Sequence, residues 1–151
     1  ETACGGADTI KTQDELCERV HRYSKKGNVV FEGLLAAHIF SRFDVLSKTV
    51  GGMVWAYLDT PIALCIERIE SRRKARGTTK PLNTKNTIGK HGSVHTSSGK
   101  ALAAAHTVIY LDHTRAVDQV FEMLTKGTLD GKPIKAGYRY EEGRKRALEM
   151  A

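Results

Sequence analysis

The sequence predicts an α/β domain, a three-layer parallel sheet with helices on both faces. Three observations predict it. Short apolar runs rich in β-branched and aromatic residues recur at 29–32, 53–58 and 107–111, as in strands buried on both faces. Capped helical patterns separate the runs, and strand–helix alternation gives parallel pairing through crossovers. The second run leads through Asp59-Thr60-Pro61 into a helix that ends in an arginine cluster.

Composition bounds the function. The 151 residues suffice for one domain with a real core. The net charge of +7, from 24 basic and 17 acidic residues, favours a polyanionic partner, DNA or a nucleotide. No apolar run is long enough to span a membrane, and no signal peptide is visible. Cys4, Cys17 and Cys65 are odd in number and widely spaced. They indicate a reducing, cytoplasmic setting with Cys17 and Cys65 as small core residues.

Taken in order, residues 1–10 read as a loop. Ala3-Cys4-Gly5-Gly6-Ala7-Asp8 brings a carboxylate beside two glycines that permit close backbone approach to a ligand; a plain turn capped by Asp8 is the alternative. Thr12 and Glu15 form a capping box for a helix that Gly27 ends. Glu32 stands at the carboxyl end of the first apolar run, where open α/β sheets bind ligands. It serves equally as a cap for the helix expected over 34–47. His38 and Arg42 lie one turn apart on that helix and line a cleft if Glu32 does; otherwise they are solvated.

Thr60 is the expected N-cap and Pro61 the first residue of the next helix. Ile62, Cys65, Ile66 and Ile69 form its apolar stripe. Arg72, Arg73 and Arg76 crowd its last turns and Gly77 closes it. Guanidiniums so placed can fold over a polyphosphate, or simply complement the helix dipole. The segment 78–98 is polar, rich in Gly, Thr and Lys, and too long for a plain connection. It reads as a lid or a disordered stretch, followed by a short helix over 99–106. His91 and His95 stand at i and i+4 without an accompanying acid, so no metal site is expected. Thr114 caps a helix over 115–126 that Gly127 ends, and Leu129-Asp130-Gly131-Lys132 reads as a tight turn. The remainder is not core-like. Tyr138, Arg139, Tyr140, Arg144, Lys145 and Arg146 mix aromatic and basic side chains, suited to nucleic acid or to a solvated tail. The expected division is a core over 1–127, with the lid at about 72–98, and a basic extension over 128–151.

Through Val29-Val30-Phe31-Glu32-Gly33, Leu58-Asp59-Thr60-Pro61, the arginine-bearing helix and Leu111-Asp112-His113, the chain resembles P-loop kinases of small metabolites, nucleotides and polynucleotide ends. Cys4-Gly5-Gly6-Ala7-Asp8 with Lys80-Pro81-Leu82-Asn83 looks, more narrowly, like phage-encoded kinases of 5-hydroxymethyluracil in DNA. The resemblance implies ATP and Mg2+ as cofactors, DNA or a nucleotide as acceptor, and a host-cytoplasmic location. It implies Asp8 as base on the acceptor hydroxyl, and Arg72, Arg73 and Arg76 as lid residues on the transferred phosphate. Glu32, His38, Arg42, Lys80 and Asn83 would bind substrate. One departure stands out: the G-x-x-x-x-G-K-[ST] loop is absent, and neither Gly89-Lys90-His91 nor Gly99-Lys100-Ala101 supplies it. The chain opens on Glu1, so the first strand and that loop are expected upstream. Two readings of other classes remain open: a nucleic-acid-binding module without catalysis, and a structural part of a split protein.

Overall fold

The computed structural model describes residues 10–33, 39–58 and 60–135, together with the backbone of 139 and 140. The chain forms two compact units, Glu1–Met53 and Val54–Ala151.

In the first unit, α1 (Gln13–Ser24) starts as the capping box requires. The Glu15 amide donates to Thr12 Oγ1 at 3.1 Å, and Glu15 Oε2 accepts from the Lys11 amide at 3.1 Å. The second helix, α2 (Phe40–Thr49), packs on α1 and buries Phe43 and Leu46. The expected strand over 29–32 is not one. These residues have no ladder partner among the described residues. Val30 is 61% exposed and Glu32 is exposed, whereas Phe31 stacks on Phe43 with ring centroids 5.7 Å apart. A single aromatic anchor holds the segment. A buried parallel strand would need both faces covered. The helix expected over 34–47 is observed from Phe40, residues 34–38 being outside the described set.

The second unit is mixed α/β around a small parallel sheet. Strand β1 (Val54–Leu58) pairs in parallel with β2 (Thr107–Leu111), from Val54↔Thr107 to Leu58↔Leu111. Between them run α3 (Ile62–Ala75) and α4 (Thr84–Ala103). After β2 come α5 (Ala116–Lys126), the hairpin β3 (Thr128–Leu129) and β4 (Lys132–Pro133), and β5 (Arg139–Tyr140), which pairs in parallel with β2. All five residues of β2 are buried. Its Tyr110 face packs on α4, where the phenol donates to Ser98 Oγ at 3.0 Å. Its other face builds the core: Ile109, Leu111 and Leu129, packed by Ala116, Val120, Met123 and Ile134.

The start of the 128–151 segment therefore corrects the sequence reading: Leu129 is fully buried and the backbone of Arg139 and Tyr140 extends the sheet. A two-residue strand leaves no periodicity to detect. The turn before it is as read. Asp130 and Gly131 both take positive φ, 47° and 75°, as a primed two-residue hairpin demands. The Glu122 carboxylate accepts from Thr128 Oγ1 at 2.6 Å, from the Gly131 amide at 2.9 Å and from the Asp130 amide at 3.1 Å.

The segment 78–98 is neither a long loop nor disordered. It holds the first 15 residues, 84–98, of the 20-residue helix α4. Asn83 caps α4, accepting from the Asn86 amide at 3.1 Å. Several of its hydroxyls bond back within the helix: Ser93 donates to the Gly89 carbonyl and Thr96 to the Gly92 carbonyl. The expected cap at Thr60 also moves. Pro61 occupies the N-cap position of α3, and no side chain caps that helix.

Two outcomes follow from these contacts. A methyl at Gly89 or Gly92 would meet nothing within 4 Å, so Gly89→Ala and Gly92→Ala each raise stability by about 0.5–1 kcal/mol in denaturant titration; a loss of stability would mean that these positions carry a constraint beyond helix propensity. Glu122 is held below the usual carboxylate value of 4.5, first by the Thr128 hydroxyl and then by the Gly131 amide. Its contribution is present above the unfolded value and lost as pH falls through the lower folded one. Glu122→Gln therefore lowers the melting temperature at pH 7, and the gap to wild type closes on acidification below about 4.5. A gap independent of pH would contradict the carboxylate's role.

Candidate functional site

Because Leu58 and Leu111 are register partners, both strands end level and release Thr60 and Asp112 at one edge of the sheet. This is the edge where parallel sheets bind ligands. Thr60 is buried, and its carbonyl accepts from Cys65 Sγ at 3.8 Å and meets His91 Nε2 at 3.0 Å. A carbonyl can only accept, so His91 carries its hydrogen on Nε2. The His95 ring lies 4.7 Å from that of His91. Burial pushes the Cys65 thiol up, away from the reactive thiolate form.

On the neighbouring strand, Asp112 is 1% exposed. Its Oδ1 accepts from the Thr114 amide at 2.9 Å and the Thr114 hydroxyl at 2.7 Å, and its amide donates to Gln119 Oε1 at 3.0 Å. Gln119 and Arg115 in turn reach Asp130. Asp112 is thus built in rather than solvated. His113 follows, with Nδ1 shielded from solvent and without a hydrogen-bond partner among the described residues. The sequence reading noted Asp112 and His113 only as part of a motif. An acid directly after a strand was the signal.

A second cluster crowns the α3–α4 hairpin. The stripe of Ile62, Cys65, Ile66 and Ile69 is half-buried, and α3 packs on α4. Gly77, at φ 67°, ends α3 with the two bonds of a Schellman motif, Thr78 amide to Arg73 carbonyl and Gly77 amide to Lys74 carbonyl. Arg73 continues the stripe, and its guanidinium donates to the carbonyls of Lys80 and Pro81. It fastens the turn that leads into the Asn83 cap. Arg72 Nε donates to the Arg68 carbonyl at 3.2 Å, leaving the exposed end of its guanidinium outward, and Arg76 is exposed. Lys80 and Asn83 are exposed beside them.

The remaining predicted residues do not assemble among the described residues. Arg42 forms an ion pair with Asp14 that joins α2 to α1. Glu32 is exposed. Asp8 and His38 lie outside the described residues. Among the described residues no group of three His, Cys, Asp or Glu side chains could hold a metal ion, and no helix is long and apolar enough to cross a membrane.

Known proteins resolve the relationship. The chain is 37% identical over 106 residues to the 5-hmdU DNA kinase of Pseudomonas phage M6, covering 68% of this chain and 54% of that protein. It is 33% identical over 126 residues to the 5-hmdU DNA kinase of Pseudomonas phage PaMx11, covering 82% of this chain and 67% of that protein. The chain belongs to the phage 5-hmdU DNA kinase family. It spans about half the length of the first relative and two thirds of the second. No family model and no solved structure matches it.

Arg73→Ala removes two guanidinium–carbonyl bonds, worth about 1–3 kcal/mol together. Amides over 77–84 then exchange with deuterium on the order of tenfold to a hundredfold faster, while those of β2 keep their protection. Unchanged exchange over 77–84 would show that Arg73 does not fasten the turn.

Proposed function

We propose that this chain takes part in ATP-dependent phosphoryl transfer to the hydroxymethyl oxygen of 5-hydroxymethyluracil in DNA. The observation that carries the reading is the relationship to two phage 5-hmdU DNA kinases. The parallel-sheet edge at Thr60 and Asp112 and the basic hairpin above α3 support it, since phosphoryl transfer is chiefly a matter of positioning and charge. In the reaction the bond from the γ-phosphorus to the bridging oxygen of ADP breaks. A bond to the hydroxymethyl oxygen forms, and the hydroxyl proton passes to a base. Asp8 is the base in this reading. Arg72 and Arg76 are the guanidiniums left to face phosphate, of the transferred group or of the acceptor strand, because Arg73 is committed to the turn. Lys80 and Asn83 stand where a substrate would meet the hairpin, and Glu32, His38 and Arg42 belong to the first unit's part of the reading. The P-loop class and its nucleotide cradle are part of this proposal. Magnesium accompanies ATP in such reactions, but the described residues offer it no ligand cluster, and no step is assigned to it.

The absence of a G-x-x-x-x-G-K-[ST] loop from these 151 residues favours, as a second reading, DNA binding without catalysis. One assay separates the two. Full-length protein is incubated with γ-labelled ATP and DNA containing 5-hydroxymethyluracil, beside thymine DNA, DNA 5′ ends and free nucleotides. Label enters the modified DNA, and Asp8→Asn lowers its rate about 10²–10⁴-fold while nucleotide binding persists. Binding of modified DNA with no label in any acceptor would sink the kinase reading and leave the binding module.

A further inference from the structure

We propose that the α3–α4 hairpin is the docking surface for the sugar–phosphate backbone of the acceptor DNA strand, read by a stripe of Arg68, Arg72 and Arg76 with Lys80 at its end. The identity of the polyanion rests on the functional reading above; the charge argument does not.

Residues 61–91 carry eight basic and two acidic side chains, and so six of the seven net positive charges of the chain. Four cations elsewhere pair with carboxylates: Arg19 with Glu15, Arg42 with Asp14, Lys48 with Asp44 and Arg115 with Asp130. On the hairpin none is matched. Among the described residues no carboxylate pairs with Arg68, Arg72, Arg73, Lys74, Arg76, Lys80, Lys85 or Lys90, although Glu67 and Glu70 lie on the same helix. All of these cations except the half-buried Arg73 are exposed. Unmatched like charges on one element repel one another, and a bound polyanion relieves the repulsion.

Spacing decides the kind of polyanion. Arg68, Arg72 and Arg76 recur every four residues along α3, so they share one face and cover about 12 Å of its axis. That is the rise of three to four nucleotides at about 3.4 Å each along one strand. A single transferred phosphate needs only one end of such a row. Arg73 lies off the stripe and holds the Lys80 and Pro81 carbonyls, which fixes the backbone that carries Lys80. Arg73 is a positioning residue for this surface.

The test is the salt dependence of DNA binding by the full chain, followed by fluorescence anisotropy with a 5-hydroxymethyluracil oligonucleotide. In the triple variant Arg68→Gln, Arg72→Gln, Arg76→Gln the slope of log K against log salt becomes shallower by about 2–3, and low-salt affinity falls on the order of tenfold or more. Replacing the same three residues by lysine preserves the slope. Removing two matched cations, Arg19→Gln with Lys48→Gln, changes the slope by less than about 0.5. Circular dichroism and melting curves establish that each variant folds. A triple variant with the wild-type slope overturns the proposal, as does a control pair that loses as much as the stripe. A fluorescent ATP analogue supplies the other arm: nucleotide affinity lost with the DNA slope intact returns the stripe to the nucleotide and overturns the docking surface. Wild-type labelling of DNA with an unaltered slope in the variant would sink this inference alone. A slope that falls as stated, in a protein that labels nothing, would sink the kinase reading alone.

Discussion

The second unit depends on one constraint: β2 must be covered on both faces. Its five residues are all buried, and a parallel strand so placed needs a covering element on each side. On one side α4 supplies it, with Ser97, Ser98 and Ala101 buried and Tyr110 donating to Ser98. On the other, α5 and Leu129 supply it. Because β1 and β2 are parallel, the chain must return to the starting edge between them. It does so through α3 and α4. The crossover that covers the sheet is therefore the same element that projects the basic hairpin. Sheet packing and surface charge meet on α4, whose buried residues lie at its carboxyl end and whose exposed Lys85 and Lys90 lie in its first half.

Legibility followed periodicity. The runs at 53–58 and 107–111 are long enough to register as strands, and both are strands. The run at 29–32 has the same residue types, but three apolar residues and a glutamate carry no period that separates a strand from an anchored extended segment. Phe31 on Phe43 decided the matter, and that is a tertiary fact. Helix α4 was hidden by its own composition. Glycine, threonine and serine argue for a loop by propensity. The Asn83 cap and the back-bonded hydroxyls favour the helix instead. Asp130-Gly131 was readable because a primed turn demands residues that tolerate positive φ.

The site was legible in part, for a chemical reason. An acid after a strand and arginines at a helix end can be named from sequence, and Asp112 and the arginines stand where that reasoning puts them. What a guanidinium faces cannot be named that way. Arg72, Arg73 and Arg76 look equivalent in the sequence. In the folded hairpin Arg73 is spent on two backbone carbonyls, while Arg72 and Arg76 remain at the surface. Likewise Arg42 looked available and is matched by Asp14.

The division between matched and unmatched cations carries a further physical consequence. A surface ion pair contributes little to stability, so pairing Arg19 or Lys48 does little for the fold. Its larger effect is to cancel field locally. Leaving the hairpin cations uncancelled concentrates the chain's positive potential on one projection, and attraction to a polyanion scales with that local potential rather than with net charge. A chain of net charge +7 spread evenly would draw DNA to every face. Six of the seven net positive charges fall on residues 61–91, a helix pair rooted at Thr60 through the Cys65 thiol and the His91 ring; if that pair docks the acceptor strand as proposed, the strand arrives on the side where Asp112 and His113 stand. The crossover that covers β2 is thus also the element that concentrates the positive charge of the second unit.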